Sequence, residues 1–203
     1  MAFAAPALPY AHSAPAVPIT DAWDMSWTDR IRGKFRAVFD SPELSDGDAL
    51  FRACAWCDQQ REVYGTPRSE MSPVVVFRHK AIPLVMNDTY WARFKVGKAE
   101  KVKNDATKEW FTTNPIWATP PGMPERFKEY NLERFLASGG IVLACHLAFG
   151  EIVSKIKEKD KLSNEDAERV ARQQLVPGVI LQPSGVFAAL RAQQEGCGYI
   201  VGS

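Results

Sequence analysis

The 203-residue chain is 46% hydrophobic and 24% charged, and its 25 basic and 24 acidic side chains leave a net charge of +1; these are the proportions of an ordinary globular protein with one core. The charge balance argues against a nucleic-acid or polybasic membrane footprint, which needs a clear excess on one face. No run reaches the roughly 18 apolar residues of a spanning helix, and four cysteines do not make a disulfide scaffold.

Residues 1–18 hold seven alanines and four prolines. Each proline removes a backbone donor and biases its predecessor to extended geometry, so the segment forms neither a long helix nor a core of its own. It lacks the basic start and unbroken apolar run of a secretory signal. Its composition resembles the stretch that follows a removed export signal, which favours a periplasmic location over a cytoplasmic one. Residues 19–32 predict a short amphipathic turn or helix with Trp23 and Trp27 on a shared face. Together residues 1–32 are expected to form an arm and lid, with Pro6, Pro9, Tyr10 and Pro15 as its contact residues.

From Lys34 the pattern becomes α/β. Phe35, Ala37 and Phe39 alternate as a first strand should. A helix follows from about Asp48, with Leu50, Phe51, Cys54 and Cys57 at helical spacing. Pro73–Phe77 is a continuous apolar run, typical of a strand buried on both faces. AIPLVMN reads as a short strand or turn, followed by a helix over about 88–94. Residues 95–124 break the rhythm with a polar stretch and a Pro-rich loop. A loop of that length is usually functional, and exposed Trp110 and Trp117 would be its partner contacts. Residues 124–138 predict one helix. GIVLA is the next strand, Cys145–Lys157 a helix, and Ser163 with Asp166 a capping box opening another. PGVILQP is a fourth strand, Ser184 caps a helix that Gly196 stops, and GYIV is a fifth strand.

Strands alternating with helices predict a mostly parallel five-stranded sheet covered on both faces. Ligand crevices in such sheets lie at the carboxyl ends of the strands. Asp40, His79, Cys145 and Ser184 each stand just past a predicted strand. A thiol at a helix N-terminus is stabilised as thiolate by the macrodipole and free N–H groups, which makes Cys145 the chemical candidate. The alternative reading of Cys145 is a small buried hydrophobe. Cys54–Cys57 is a C-x-x-C pair, but it lies inside its helix on the apolar stripe, and zinc would need two further ligands. Core packing is the expectation there. No Gly-rich phosphate loop or hydrolase motif is present, and neither cofactor nor metal is expected.

GGIVLAC followed by a helix, then VPGVILQPSGVFAALRAQQEG and GYI, resembles the DsrE/DsrF-like family. VVVFRHKAIPLVM looks like that family's second strand with its terminal His. The resemblance spans about 33–203, with 95–124 as an insertion. It implies a three-layer α/β/α domain, homo-oligomers, and in some members a persulfide on a Cys after the third strand, here Cys145, with His79 as the matching strand-end His. Relatives with a similar opening often carry a twin-arginine export signal.

Two functions emerge as expectations. The first is a non-catalytic accessory subunit, gripping a larger protein assembly through the arm and the insertion; a membrane-bound electron-transfer or photosynthetic complex is the host class considered. The second is a sulfur-transfer protein carrying a persulfide on Cys145, with His79 as helper.

Overall fold

The computed structural model describes residues 23–119 and 121–202; Pro6, Pro9, Tyr10 and Pro15 lie outside the described residues. The apolar runs form the sheet. β1 (Phe35–Ser41), β2 (Met71–Phe77), β3 (Ile141–Cys145), β4 (Ile180–Gln182) and β5 (Gly198–Val201) lie in the order β4-β3-β2-β1-β5. Every pairing is parallel. β2 is buried along its whole length because it is central and covered on both sides. It carries Pro73, which has no N–H for a ladder. Pairing to β3 begins only at Val74, so at Pro73 the strand has β1 alone as neighbour.

The helices are α1 (Asp48–Tyr64), α2 (Asp88–Phe94), α3 (Val96–Ala99), α4 (Leu132–Ala137), α5 (His146–Asp160), α6 (Asn164–Gln173) and α7 (Gly185–Gln194). Side chains alternate across the sheet. Phe39, Val75, Phe77, Val142 and Ala144 face a large core with Leu50 of α1, Phe149 and Ile152 of α5, and Ala167 of α6. Val38, Val74, Val76, Ile141 and Leu143 face a smaller core with Ala188 and Ala192 of α7 and with Trp27. The result is a three-layer α/β/α fold in which, among the described residues, the second outer layer is thin: one helix, plus the 3₁₀ turn Ser26–Arg30.

Local chemistry sets the helix starts. Ser163 Oγ accepts from Asp166 N–H at 3.1 Å and Ser184 Oγ from Phe187 N–H at 3.1 Å, as the capping residues predicted. Three expectations are corrected. Residues 124–138 are not one helix. Extended Asn131 (φ −140°) caps α4 by accepting from Arg134 N–H at 2.9 Å, which fixes the start of α4 at Leu132, and only the 3₁₀ turn Glu125–Phe127 precedes it. AIPLVMN is neither strand nor simple turn but the end of a 3₁₀ helix, His79–Val85, and the residues after it; Ala81, Leu84 and Val85 are all fully buried, so no one-sided period is available to read. Trp23 and Trp27 do not share a face. Trp27 fills the smaller core, whereas Trp23 precedes the 3₁₀ turn and packs on the larger one.

Residues 95–124 carry two buried asparagines, of which Asn104 folds the segment on itself and Asn114 ties it to the rest of the domain. Asn104 Oδ1 accepts from Ala106 and Thr107 N–H at 2.8 and 3.0 Å. Asn114 Nδ2 donates to the carbonyls of Leu84 and Met86 at 2.8 and 2.7 Å. These bonds replace the ladder that a polar loop lacks. Gly97 is required here, since a Cβ on it would fall 2.1 Å from the Phe111 carbonyl oxygen.

Candidate functional site

The carboxyl ends of the strands carry two polar groupings. The first centres on Asp40, 2% exposed near the end of β1. Arg78, just past β2, donates to it from Nε and Nη2, each at 2.8 Å, and Tyr199 of β5 donates its hydroxyl at 2.6 Å. A bidentate guanidinium–carboxylate pair with a third donor satisfies a buried charge. The hydrogen bond to Asp40, followed by burial, raises the Tyr199 hydroxyl above its ordinary value, and the same carboxylate raises Arg78. The Arg78 stem passes under the first residue of α7. A Cβ on Gly185 would fall 2.5 Å from Arg78 Cβ, so a glycine there permits the crossing.

The second grouping surrounds Cys145. The residue is buried (6% exposed) at the N-cap of α5, and its Sγ accepts from Ala148 N–H at 3.5 Å. The thiol thus stands at the sheet rim where a helix begins. The adjacent His146 has Nε2 3.5 Å from Glu168 Oε1 and packs edge-on to Trp23 with ring centroids 5.2 Å apart. Arg172 donates to Glu168 at 2.7 Å, and this bond holds the Glu168 carboxyl below its usual range, with His146 adding a smaller effect. Beside Cys145 in register is Gln182, which is fully buried. Its Nε2 donates to the Asp24 carbonyl at 2.9 Å and so fastens the segment containing Trp27, while its Oε1 has no partner among the described residues.

His79 has a left-handed backbone (φ 51°) and an exposed side chain, with Nδ1 3.8 Å from Glu43 Oε1 on the β1 side. No hydrogen bond joins it to Cys145 among the described residues. His146 is the imidazole nearest in sequence to the thiol, and its partner is Glu168. Ser184 serves as a helix cap. Trp110 is 38% exposed, with Lys103 Nζ 4.3 Å from its ring centroid; Trp117 is half-buried against the larger core. Cys54 and Cys57 are half-buried, and burial pushes their thiols up to about 12 and about 11. Among the described residues no group of three or more His, Cys, Asp or Glu is placed to hold a metal ion, and no helix is long and apolar enough to cross a membrane.

Arg78, Tyr199, Gln182 and Glu168 were not among the residues the sequence pointed to. Arg78 had a usable signal, since it directly precedes His79 at a strand end. Tyr199 had none, because its partner Asp40 is 159 residues away. Comparison with models of known protein families gave no match, and comparison with curated proteins gave none either.

Proposed function

We propose that this chain is an accessory subunit without catalytic activity that docks onto a larger protein assembly. The observation that supports this reading is the inverted amphipathicity of α7. The helix turns Gly185, Ala188, Ala189 and Ala192 to the sheet and exposes Val186 (57%), Phe187 (41%) and Leu190 (55%). An ordinary surface helix does the reverse. Beside it, β5 forms one edge of the sheet and exposes Tyr199, Ile200 and Val201. That edge strand carries none of the lysines or prolines that usually blunt such edges. A contiguous apolar helix face beside an edge strand, where Arg52 Nη1 donates to the Val201 carbonyl at 3.2 Å, is what a protein partner covers. The exposed Trp110 of the 95–124 segment is a further contact point, and a periplasmic location is proposed with this reading.

The test is retention of a partner from extracts of the source cells by the full chain, compared with a Val186→Asp/Leu190→Asp variant of matching circular dichroism. A stoichiometric partner kept by the first and lost by the second supports the proposal. Equal retention by both, or none by the wild type, overturns it.

A second reading has one observation in its favour: the position of Cys145 Sγ at the N-terminus of α5, accepting a backbone N–H. The Cys145 thiolate would attack the outer sulfur of a donor persulfide, forming Cys145–S–SH and releasing the donor's thiolate. Mass spectrometry after incubation with a persulfide donor would then show a gain of about 32 Da, one sulfur atom, absent in Cys145→Ser. No gain in the wild type removes this reading.

A further inference from the structure

A cavity of about 590 Å³ opens at the amino ends of β2 and β3, opposite the rim that carries Asp40 and Cys145. The second half of α1, the turn leading into β2, and residues 126–138 build it. None of these belongs to α7 or β5, so the cavity is independent of the proposed docking face.

Its charge is unbalanced. Arg61, Arg68, Arg126 and Arg134 line it against two carboxylates, Asp58 and Glu129; four minus two leaves two positive charges unmatched. Arg61 pairs with Asp58 at 2.7 Å and Arg134 with Glu129 at 3.1 Å. Tyr130 also donates to Asp58, at 2.6 Å, so that carboxylate is fully engaged. Among the described residues Arg68 and Arg126 have no carboxylate partner. Arg68 donates from Nη1 to the Met71 carbonyl at 2.8 Å, and its Nη2 is buried with no partner among the same residues. Arg126 lies over the Phe127 ring at 4.5 Å. That nitrogen lies below the cleft surface, so Arg68 contributes its unmatched charge to the cleft and not this atom.

The floor is apolar and neutral. Met71 and Phe135 are buried, and Cys54 and Cys57 complete it. With thiols pushed up to about 12 and about 11 by burial, both stay protonated at neutral pH and add no negative charge. The volume is within the range of small-molecule sites.

We infer that this cleft binds a small organic phosphate monoester, its phosphoryl head taken by Arg68 and Arg126 and its apolar body laid on Met71 and Phe135. A dianionic head matches the two unmatched charges, and guanidinium forks hold phosphoryl oxygens in pairs.

Calorimetric titration of the full chain at fixed ionic strength tests this, with phenyl phosphate, inorganic phosphate and phenol as probes. Phenyl phosphate is expected to saturate one site and to bind at least tenfold more tightly than inorganic phosphate, with no binding of phenol. Arg68→Met and Arg126→Met should each weaken phenyl phosphate by tenfold or more, and Arg169→Met on α6 should leave it unchanged. If Arg68→Met fails to fold, Arg126→Met decides alone, since its side chain lies over the Phe127 ring at the surface. Absence of saturable phenyl phosphate binding, equal affinity for inorganic phosphate, or affinity unchanged in the folded variants overturns the inference.

Discussion

The two faces of the sheet are covered very differently. One carries α1, the 79–85 turn, α5 and α6, whose large side chains interlock with Phe39, Val75 and Phe77. The other, among the described residues, carries α7 and a short turn anchored by Trp27. A helix that contacts a sheet through alanines can lie close to it and approach all five strands, but it then has its large residues to show outward. Thick cover makes one face a core, and thin cover makes the other a core with an apolar exterior. The polar fastenings of the thin side, Asp40–Arg78–Tyr199 and Gln182–Asp24, compensate for its small apolar area.

The largest expected effect comes from that thin cover. Trp27 is fully buried and is the only aromatic of the smaller core among the described residues. Trp27→Ala should cost about 3–5 kcal/mol in urea melts, with amide exchange accelerated in α7 and residues 24–31 and little changed in α5. Acceleration spread equally over both faces would break the distinction. Next is Asp40→Ala, which strands Arg78 and removes the Tyr199 acceptor. With Asp40 buried and Arg78 partly exposed, the loss should be about 2–4 kcal/mol; a loss under ~1 kcal/mol would mean that the rim cluster fastens nothing.

The same cluster sets an alkaline limit. The Tyr199 hydroxyl is raised above its ordinary 10.0 in the folded chain, first by its bond to Asp40 and then by burial. A raised value means that this contribution is complete below pH 10.0 and is lost as pH climbs through the folded value. Wild type should therefore lose stability in that window, and Tyr199→Phe should lose less there, while being about 1 kcal/mol weaker at neutral pH. Parallel pH profiles for the two proteins would contradict the assignment. Smallest is Leu190→Asp: its side chain is mostly exposed, so melting should move by no more than about 0.5 kcal/mol. A larger loss would mean that Leu190 belongs to the core and not to a docking face.

Much of the sheet was readable because buried parallel strands are apolar runs, and Ser163 and Ser184 were readable as caps because capping is local. Cys145 was placed at its rim by the same local logic. What escaped was long-range or inverted. The His79 ring turns toward Glu43 because the chain after β2 runs beside the β1 loop, Lys80 N–H bonding the Pro42 carbonyl at 3.0 Å; nothing in RHK specifies that turn. The α7 segment was readable as a helix from its cap and stop, but those signals do not say which stripe faces in. Small residues at 185, 188, 189 and 192 can pack closest to a sheet, and they took the inner side. The arginine cleft draws on residues 54–138 and has no motif.

The docking claim is tested most directly by placing a photo-crosslinking amino acid at position 190, at 200, or at 155 on exposed α5, and irradiating the source cells. The account predicts a defined adduct with another protein from 190 and 200 and none from 155. No adduct from 190 and 200, an identical adduct from all three, or an adduct at twice the chain's own mass would contradict it.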